Sequence, residues 1–212
     1  MHNKHPRILI VNVNWLGDVL FSTALIREVR NNYPGSFLAC MVPKRCQGIL
    51  EGNPYLDEII IFDEKDTHKS LKQKIKFIQD LKAKHFDIAI LLHRSFTRTL
   101  ISWMSGIRQR IGYHTKKRAF LLTKNIIAPK DLLHRRDYYL KIIESMGLKV
   151  NDRRLDFFVS KQDEEYINEF LKKNNVYRND FLVVINPGGN WHPKRWPKEN
   201  FAFLADRLNK EF

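Results

Sequence analysis

RILIVNVNWLGDVLFSTALIREVRNNYPG, residues 7–35, decides the fold. Arg7–Asn14 is nearly continuous in Ile, Leu and Val, the pattern of a strand buried on both faces. Asp18–Asn32 then follows helical spacing, with Val19, Leu20, Leu25 and Val29 on one face, and Pro34-Gly35 closes it. A buried strand handing over to an amphipathic helix is the first half of a βαβ unit. The handover carries an acidic residue, Asp18, at the tip where α/β proteins open their sites. Two readings are open. Asp18 caps the helix, where Asp is favoured and suits the positive helix end, or it faces a crevice as a functional carboxylate. One group can do both. GxGxxG is absent, so no NAD is expected.

The alternation continues along the chain. Strand patterns cover Phe37–Val42, Glu58–Phe62, Asp87–Leu92 and Arg110–Tyr113. Helix patterns cover Lys69–Lys84, Phe96–Met104 and Arg135–Met146. This predicts a parallel sheet in a first domain, residues 1–155, with Asn151–Phe158 as a connection. Residues 156–212 form a second portion: a helix over Asp163–Lys173, a very apolar strand over Phe181–Asn186, and a helix over Pro197–Lys210. The fold class is α/β, a Rossmann-like domain followed by the start of another strand–loop–helix unit.

The second unit carries NPGGNWHPKRWP, residues 186–197. Gly188-Gly189 lets backbone N–H groups approach a ligand closely, Lys194 and Arg195 add charge, and Pro197 suits a helix start, so the loop is a candidate diphosphate cradle. The competing reading is a basic surface loop anchored by Trp191 and Trp196. G-K-[ST] is missing, so it is not a Walker A loop. His93 and Arg94 end the Asp87–Leu92 strand, on the same sheet edge as Asp18. Arg94, Arg98, Arg108, Arg110, Lys116, Lys117, Arg118, Arg135 and Arg136 are either a solvated face or an anion-binding wall.

The 212 residues are enough for one good core, or for one domain and part of another. Hydrophobic residues at 43% exclude a disordered chain. A formal charge of +14 favours acidic partners: nucleic acid, anionic lipid or phosphorylated small molecules. Cys40 and Cys46 lack zinc spacing and are read as reduced thiols of a cytosolic protein; the eight His are scattered, and no metal site is expected. No apolar run reaches membrane-spanning length.

Three stretches stand in order at sensible separations: NWLGDVLFSTALIREVRNNYP, LLHRSFTRTLISWMSGIRQRIGY and NPGGNWHPKRWPKENFAFLADRL. Together they resemble the bacterial ADP-heptose:lipopolysaccharide heptosyltransferases of glycosyltransferase family 9, heptosyltransferase II type. The resemblance implies a GT-B architecture and inverting, metal-independent transfer without a cofactor. The donor is then ADP-heptose, and the acceptor Kdo-lipid A or the heptosylated inner core. It makes Asp18 the general base. Gly188, Gly189, Asn190 and Lys194 become donor-binding residues, and Arg94 and Arg98 candidates for acceptor phosphates or Kdo carboxylates. It implies a cytoplasmic enzyme, with peripheral association at the inner membrane as an expectation, and no nucleic acid. The family's later Asp-[Ser/Thr]-Gly-x-x-His element has no counterpart before Phe212. The expectation is therefore the N-terminal portion of a transferase, inactive by itself. Two alternatives stand beside this reading: a GT-B enzyme using another nucleotide sugar, and a basic nucleic-acid-binding protein, for which RRM, KH and helix-turn-helix signatures are missing.

Overall fold

A computed structural model describes residues 5–64, 66–189 and 191–211. The chain forms two compact units, Met1–Ser160 and Lys161–Phe212.

The first unit is built on six parallel strands: β1 (Arg7–Val11), β2 (Phe37–Val42), β3 (Glu58–Ile61), β4 (Ile88–Leu91), β5 (Gln109–Tyr113) and β6 (Lys124–Ile126). Their order across the sheet is β3-β2-β1-β4-β5-β6. The central strands are apolar throughout because both faces are covered. Strand periodicity sorts their side chains. Ile8, Ile10, Leu38 and Cys40 join one core with α1 (Leu16–Phe21), α2 (Thr23–Asn32) and α5 (Arg135–Ser145). Leu9, Val11, Ala39 and Met41 join the opposite core with α3 (Leu71–Ala83) and α4 (Phe96–Met104). Ser70 and Gln73 form a capping box that starts α3.

Three expectations change. The helix expected over 18–32 is two helices meeting at Ser22. The buried Ser22 hydroxyl donates to the Val19 carbonyl at 2.7 Å and accepts the Asn12 side-chain amide at 2.7 Å. This side-chain bonding competes with the regular ladder. The short strand β6 was not anticipated, because Lys124 and Asn125 are exposed and give it no apolar run. In the second unit, residues 181–186 are not a strand. No strand is assigned among the described residues of that unit, so the segment has no ladder to join, and Phe181, Leu182, Val183 and Val184 are exposed. The second unit holds α6 (Lys161–Lys173), a short 3-10 turn at His192–Lys194, and α7 (Lys198–Glu211); neither helix buries a residue.

Residues 151–156 are tied to α2 rather than free. The buried Arg27 guanidinium pairs with Asp156 and donates to the carbonyls of Asp152 at 3.2 Å and Arg154 at 2.8 Å. The Asn151 N–H donates to Glu28 Oε2 at 2.8 Å, and the Asp156 N–H to Thr23 Oγ1 at 2.9 Å. These bonds join the segment to the first unit, which ends at Ser160.

Candidate active site at the switch point of the sheet

The strand order reverses between β1 and β4. Chains leaving these neighbours diverge to opposite faces and open a crevice beyond the carboxyl ends, where ligands of doubly wound sheets bind. The segment after β1, Asn12–Trp15, and the segment after β4, Leu92–Ser95, form its two walls. A hollow of about 200 Å³ lies there, lined among others by Asn14, Asp18, His93, Arg94, Arg135 and Tyr138.

Asp18 enters this hollow from the first turn of α1, but not as the helix cap. The cap is Trp15, in extended backbone and without a capping side chain, so Asp18 is the third helical residue. Its carboxylate remains partly accessible, with 26% of the side chain exposed, and lies 3.2 Å from Nε of Arg135. Arg135 opens α5 after His134, whose ring accepts from the Arg136 N–H at 3.3 Å. Tyr113 on β5 anchors that turn: it stacks on Tyr138 at 4.1 Å between centroids and donates its hydroxyl to the Tyr138 carbonyl.

Behind the hollow is a network of buried polar groups. Arg98 is only 1% exposed. It donates through Nη1 to the Asn12 carbonyl at 2.8 Å and through Nη2 to Asn14 Oδ1 at 2.6 Å. The Asn14 carbonyl also accepts from Arg45 at 2.8 and 3.0 Å. Asn14 Nδ2 is 3.2 Å from His93 Nε2, and His93 Nδ1 accepts from the Ser95 N–H at 3.0 Å. Arg118, fully buried, reaches from the β5 side to the carbonyls of His93 at 2.5 Å and Tyr113 at 2.8 Å. Gly112 makes room for it: a Cβ there would lie 2.9 Å from the Leu91 carbonyl oxygen and 3.3 Å from Arg118 Nη2. Burial, then the positive charges of Arg98 and Arg118, push the His93 ring down to about 4, so it is neutral at physiological pH. Burial also lowers both guanidinium groups to about 10, which leaves them cationic.

The expected site residues therefore separate. Asp18 and Arg94 line one hollow, and Arg94 is exposed to solvent. Arg98 is placed otherwise than expected: its head is spent on Asn12 and Asn14 beneath the loop, and it braces the wall instead of presenting charge to a ligand. Arg135, grouped in the sequence with the diffuse basic residues, is the cation beside Asp18. Asn12 and Asn14, two amides interrupting an apolar run, were the overlooked signal for a polar wall.

In the second unit Gly188, Gly189 and Lys194 are exposed, and Asn190 lies outside the described residues. The Gly188 N–H donates to Asn186 Oδ1 at 3.2 Å, while Arg195 folds back on the Gly189 carbonyl. Lys194 Nζ stands 5.5 Å over the Trp191 ring. A hollow of about 410 Å³ beside this loop is lined by Pro187, His192, Arg195, Trp196, Lys198 and Phe201, among others. Among the described residues no group of three or more His, Cys, Asp or Glu could hold a metal ion, and no helix is long and apolar enough to cross a membrane.

A parallel sheet in the order 3-2-1-4-5-6, with a carboxylate and cations at its switch point, defines a Rossmann-like α/β unit of the ligand-binding kind. Residues 74–211 match the model of glycosyltransferase family 9 (heptosyltransferase), and the chain belongs to that family. It is 26% identical to lipopolysaccharide heptosyltransferase 2 of Escherichia coli K12, over 97% of this chain and 61% of that protein. Lipooligosaccharide heptosyltransferase 2 of Haemophilus ducreyi is also 26% identical, over 95% of this chain and 60% of that protein. The chain thus spans about three-fifths of the length of these relatives. Among solved structures, a glycosyltransferase family 9 protein from Veillonella parvula superposes over 99% of this chain and 62% of its own, with a TM-score of 0.88 and 27% identity. The E. coli ADP-heptose heptosyltransferase II shares the fold with a TM-score of 0.75, over 97% of this chain and 62% of its own, at 24% identity. The α/β class and the parallel, Rossmann-like sheet are as expected from the sequence.

Proposed function

We propose that this chain supplies the acceptor-binding domain and the beginning of the donor-binding domain of a heptosyltransferase. The enzyme transfers heptose from ADP-heptose to the lipopolysaccharide inner core, with inversion and without a metal. The observation that carries the reading is the position of Asp18: in a chain of this family, an accessible carboxylate lines the switch-point hollow together with Arg94 and Arg135.

Transfer requires an acceptor hydroxyl to attack the anomeric carbon as it loses its proton. Asp18 takes that proton, because a carboxylate within hydrogen-bond reach is a competent general base. Inversion follows from a single displacement: the new C–O bond forms on the face opposite the breaking bond to ADP. Arg94 and Arg135 give the hollow a positive wall, suited to the phosphate or carboxylate groups of an inner-core acceptor. Charge develops on the departing diphosphate, and Lys194 with the N–H groups of the Gly188-Gly189 loop stabilises it. Catalysis takes place on the cytoplasmic side, where the nucleotide sugar is available.

The test is ADP release by the protein that carries this chain, given ADP-heptose and a heptosylated Kdo-lipid A acceptor, beside a panel of UDP- and GDP-sugars. Turnover confined to ADP-heptose, and lost in Asp18→Asn, supports the reading. Equal turnover with another nucleotide sugar moves the chain to a different GT-B donor specificity.

A further inference from the structure

Each wall of the switch-point crevice brings one side-chain nitrogen to its partner. Asn14 Nδ2, from the segment after β1, and His93 Nε2, from the segment after β4, lie 3.2 Å apart, and both residues line the hollow. The far ends of the two side chains fix what these nitrogens are. The Ser95 N–H donates to His93 Nδ1 at 3.0 Å, so that nitrogen carries a lone pair. The ring proton therefore sits on Nε2, and the imidazole is neutral. Asn14 Oδ1 accepts from Arg98 Nη2 at 2.6 Å. Turning the amide over would set its NH2 group against that guanidinium, so Nδ2 is the end that faces His93. Two donors thus meet, and neither can satisfy the other. Among the described residues neither nitrogen has another hydrogen-bond partner.

Both side chains are half-buried and held from behind. Arg118 Nη1 donates to the His93 carbonyl at 2.5 Å, and Arg45 donates to the Asn14 carbonyl at 2.8 and 3.0 Å. Folded proteins seldom leave two such donors facing one another, and a single oxygen bridging them would satisfy both. The charge around them selects the kind of oxygen. The lining of the hollow carries the guanidinium groups of Arg94 and Arg135 against the one carboxylate of Asp18, and Arg98 and Arg118 stand directly behind the pair. Converging N–H donors in positive surroundings favour an oxygen that only accepts. We infer that Asn14 Nδ2 and His93 Nε2–H form a subsite for an anionic oxygen of a carboxylate or phosphate group. The subsite spans the crevice, one donor from each wall. Assigning the oxygen to an acid or phosphate group of the sugar acceptor rests on the proposed function; the subsite itself does not.

NMR of this chain labelled with 15N-histidine tests it. Long-range 1H–15N spectra at pH 7 should show His93 as the neutral Nε2–H tautomer. The protein is then titrated with sodium phosphate and, separately, sodium acetate, with sodium chloride holding ionic strength constant. The His93 Nε2 resonance should move and saturate, while the exposed His114 ring does not respond. The stronger of the two responses tells a phosphate subsite from a carboxylate one. Asn14→Asp gives Arg98 and His93 an acceptor each, so it should melt no lower than wild type, yet bind either anion roughly 10-fold more weakly or worse. His93→Phe should lose a similar factor, read from the Asn14 side-chain amide. A purely structural amide would leave anion affinity unchanged in Asn14→Asp, and that result overturns the inference. So would an Nδ1–H or doubly protonated His93 at pH 7, no response to either anion, or equal shifts at His114. A chain that binds the anion through this pair, in a protein that transfers no heptose, would fail the proposed function alone.

Discussion

Nε of Arg135 lies 3.2 Å from Oδ1 of Asp18, joining the first turn of α5 to the first turn of α1. The two helices start from distant parts of the chain and meet at the mouth of the crevice. The pair is accessible, with 52% of the Arg135 side chain exposed, so it adds little to stability. Its effect is geometric: it limits the rotamers of the carboxylate that lines the hollow.

Asp18→Asn is expected to reduce turnover by roughly 10²-fold or more, the usual contribution of a general base. The melting temperature should barely move. Asp18 is not the helix cap, and an exposed pair together with a first-turn acid contributes about 1 kcal/mol or less. Steady-state kinetics beside a thermal melt separates the two effects. Wild-type turnover in the variant would remove Asp18 from the chemistry.

Arg98 acts through structure, and its substitution should read as a stability loss. Arg98→Met leaves the Asn12 carbonyl and Asn14 Oδ1 without their donors. Unsatisfied buried polar groups cost about 1–3 kcal/mol each, so a loss of about 2–4 kcal/mol is expected in urea unfolding. Arg98→Lys should recover less than half, since one ammonium cannot reproduce the two-pronged geometry. A stable Arg98→Met with weakened acceptor binding alone would return Arg98 to the ligand.

His93 predicts a pH dependence of stability. Its folded value lies near 4, below the ordinary 6.5, through burial and the adjacent guanidinium groups. Between about pH 6.5 and 4 the unfolded chain binds a proton that the folded chain refuses, so stability falls as pH falls through that window and is level above it. The partly solvated ring reduces the effect to roughly 1 kcal/mol between pH 7 and 5. Asp57 and Asp137, held below the ordinary carboxylate value, lose their contributions only as pH falls below about 4. Urea unfolding at pH 7 and 5 should show a smaller drop for His93→Gln than for wild type. His68, also lowered by burial, leaves a residual slope. An unchanged slope would mean that the ring is not held neutral.

The sheet was legible because β1, β2 and β4 are buried on both faces, and such strands read as uninterrupted apolar runs. The same signal misled at Phe181–Asn186, since an apolar run forms a strand only beside a partner. Asp18 was found at the right edge for a partly wrong reason: the cap is fixed by the extended backbone of Trp15, not by a favoured capping side chain. Its pairing with Arg135 and the burial of Arg98 were not legible at all. Both depend on which elements the topology brings together, and local spacing carries no trace of that. Arg94 and Arg98 look alike as basic residues after β4, yet one is exposed and the other is sealed beneath the Asn14 loop.

The proposed donor loop gives the last prediction. Its two neighbouring cations are in different states. Arg195 is engaged with the Gly189 carbonyl, whereas Lys194 has no carboxylate partner among the described residues and rests over Trp191 at 5.5 Å. Lys194 is therefore the group available to a diphosphate, and Arg195 the one that shapes the loop. Lys194→Ala should weaken ADP binding by about 1.5–3 kcal/mol, roughly 10- to 150-fold, the range for a hydrogen bond to a charged partner. Folding should be unaffected, because the side chain is exposed and a cation–π contact of this kind is worth about 0.5–1 kcal/mol. Arg195→Ala should also weaken ADP, but by releasing the Gly188-Gly189 segment, so it should increase amide exchange at Gly188 and Gly189 while Lys194→Ala does not. Calorimetry with ADP, paired with hydrogen exchange on the same variants, distinguishes the roles. Equal ADP affinity in Lys194→Ala and wild type would leave the loop as a basic surface turn anchored by its tryptophans.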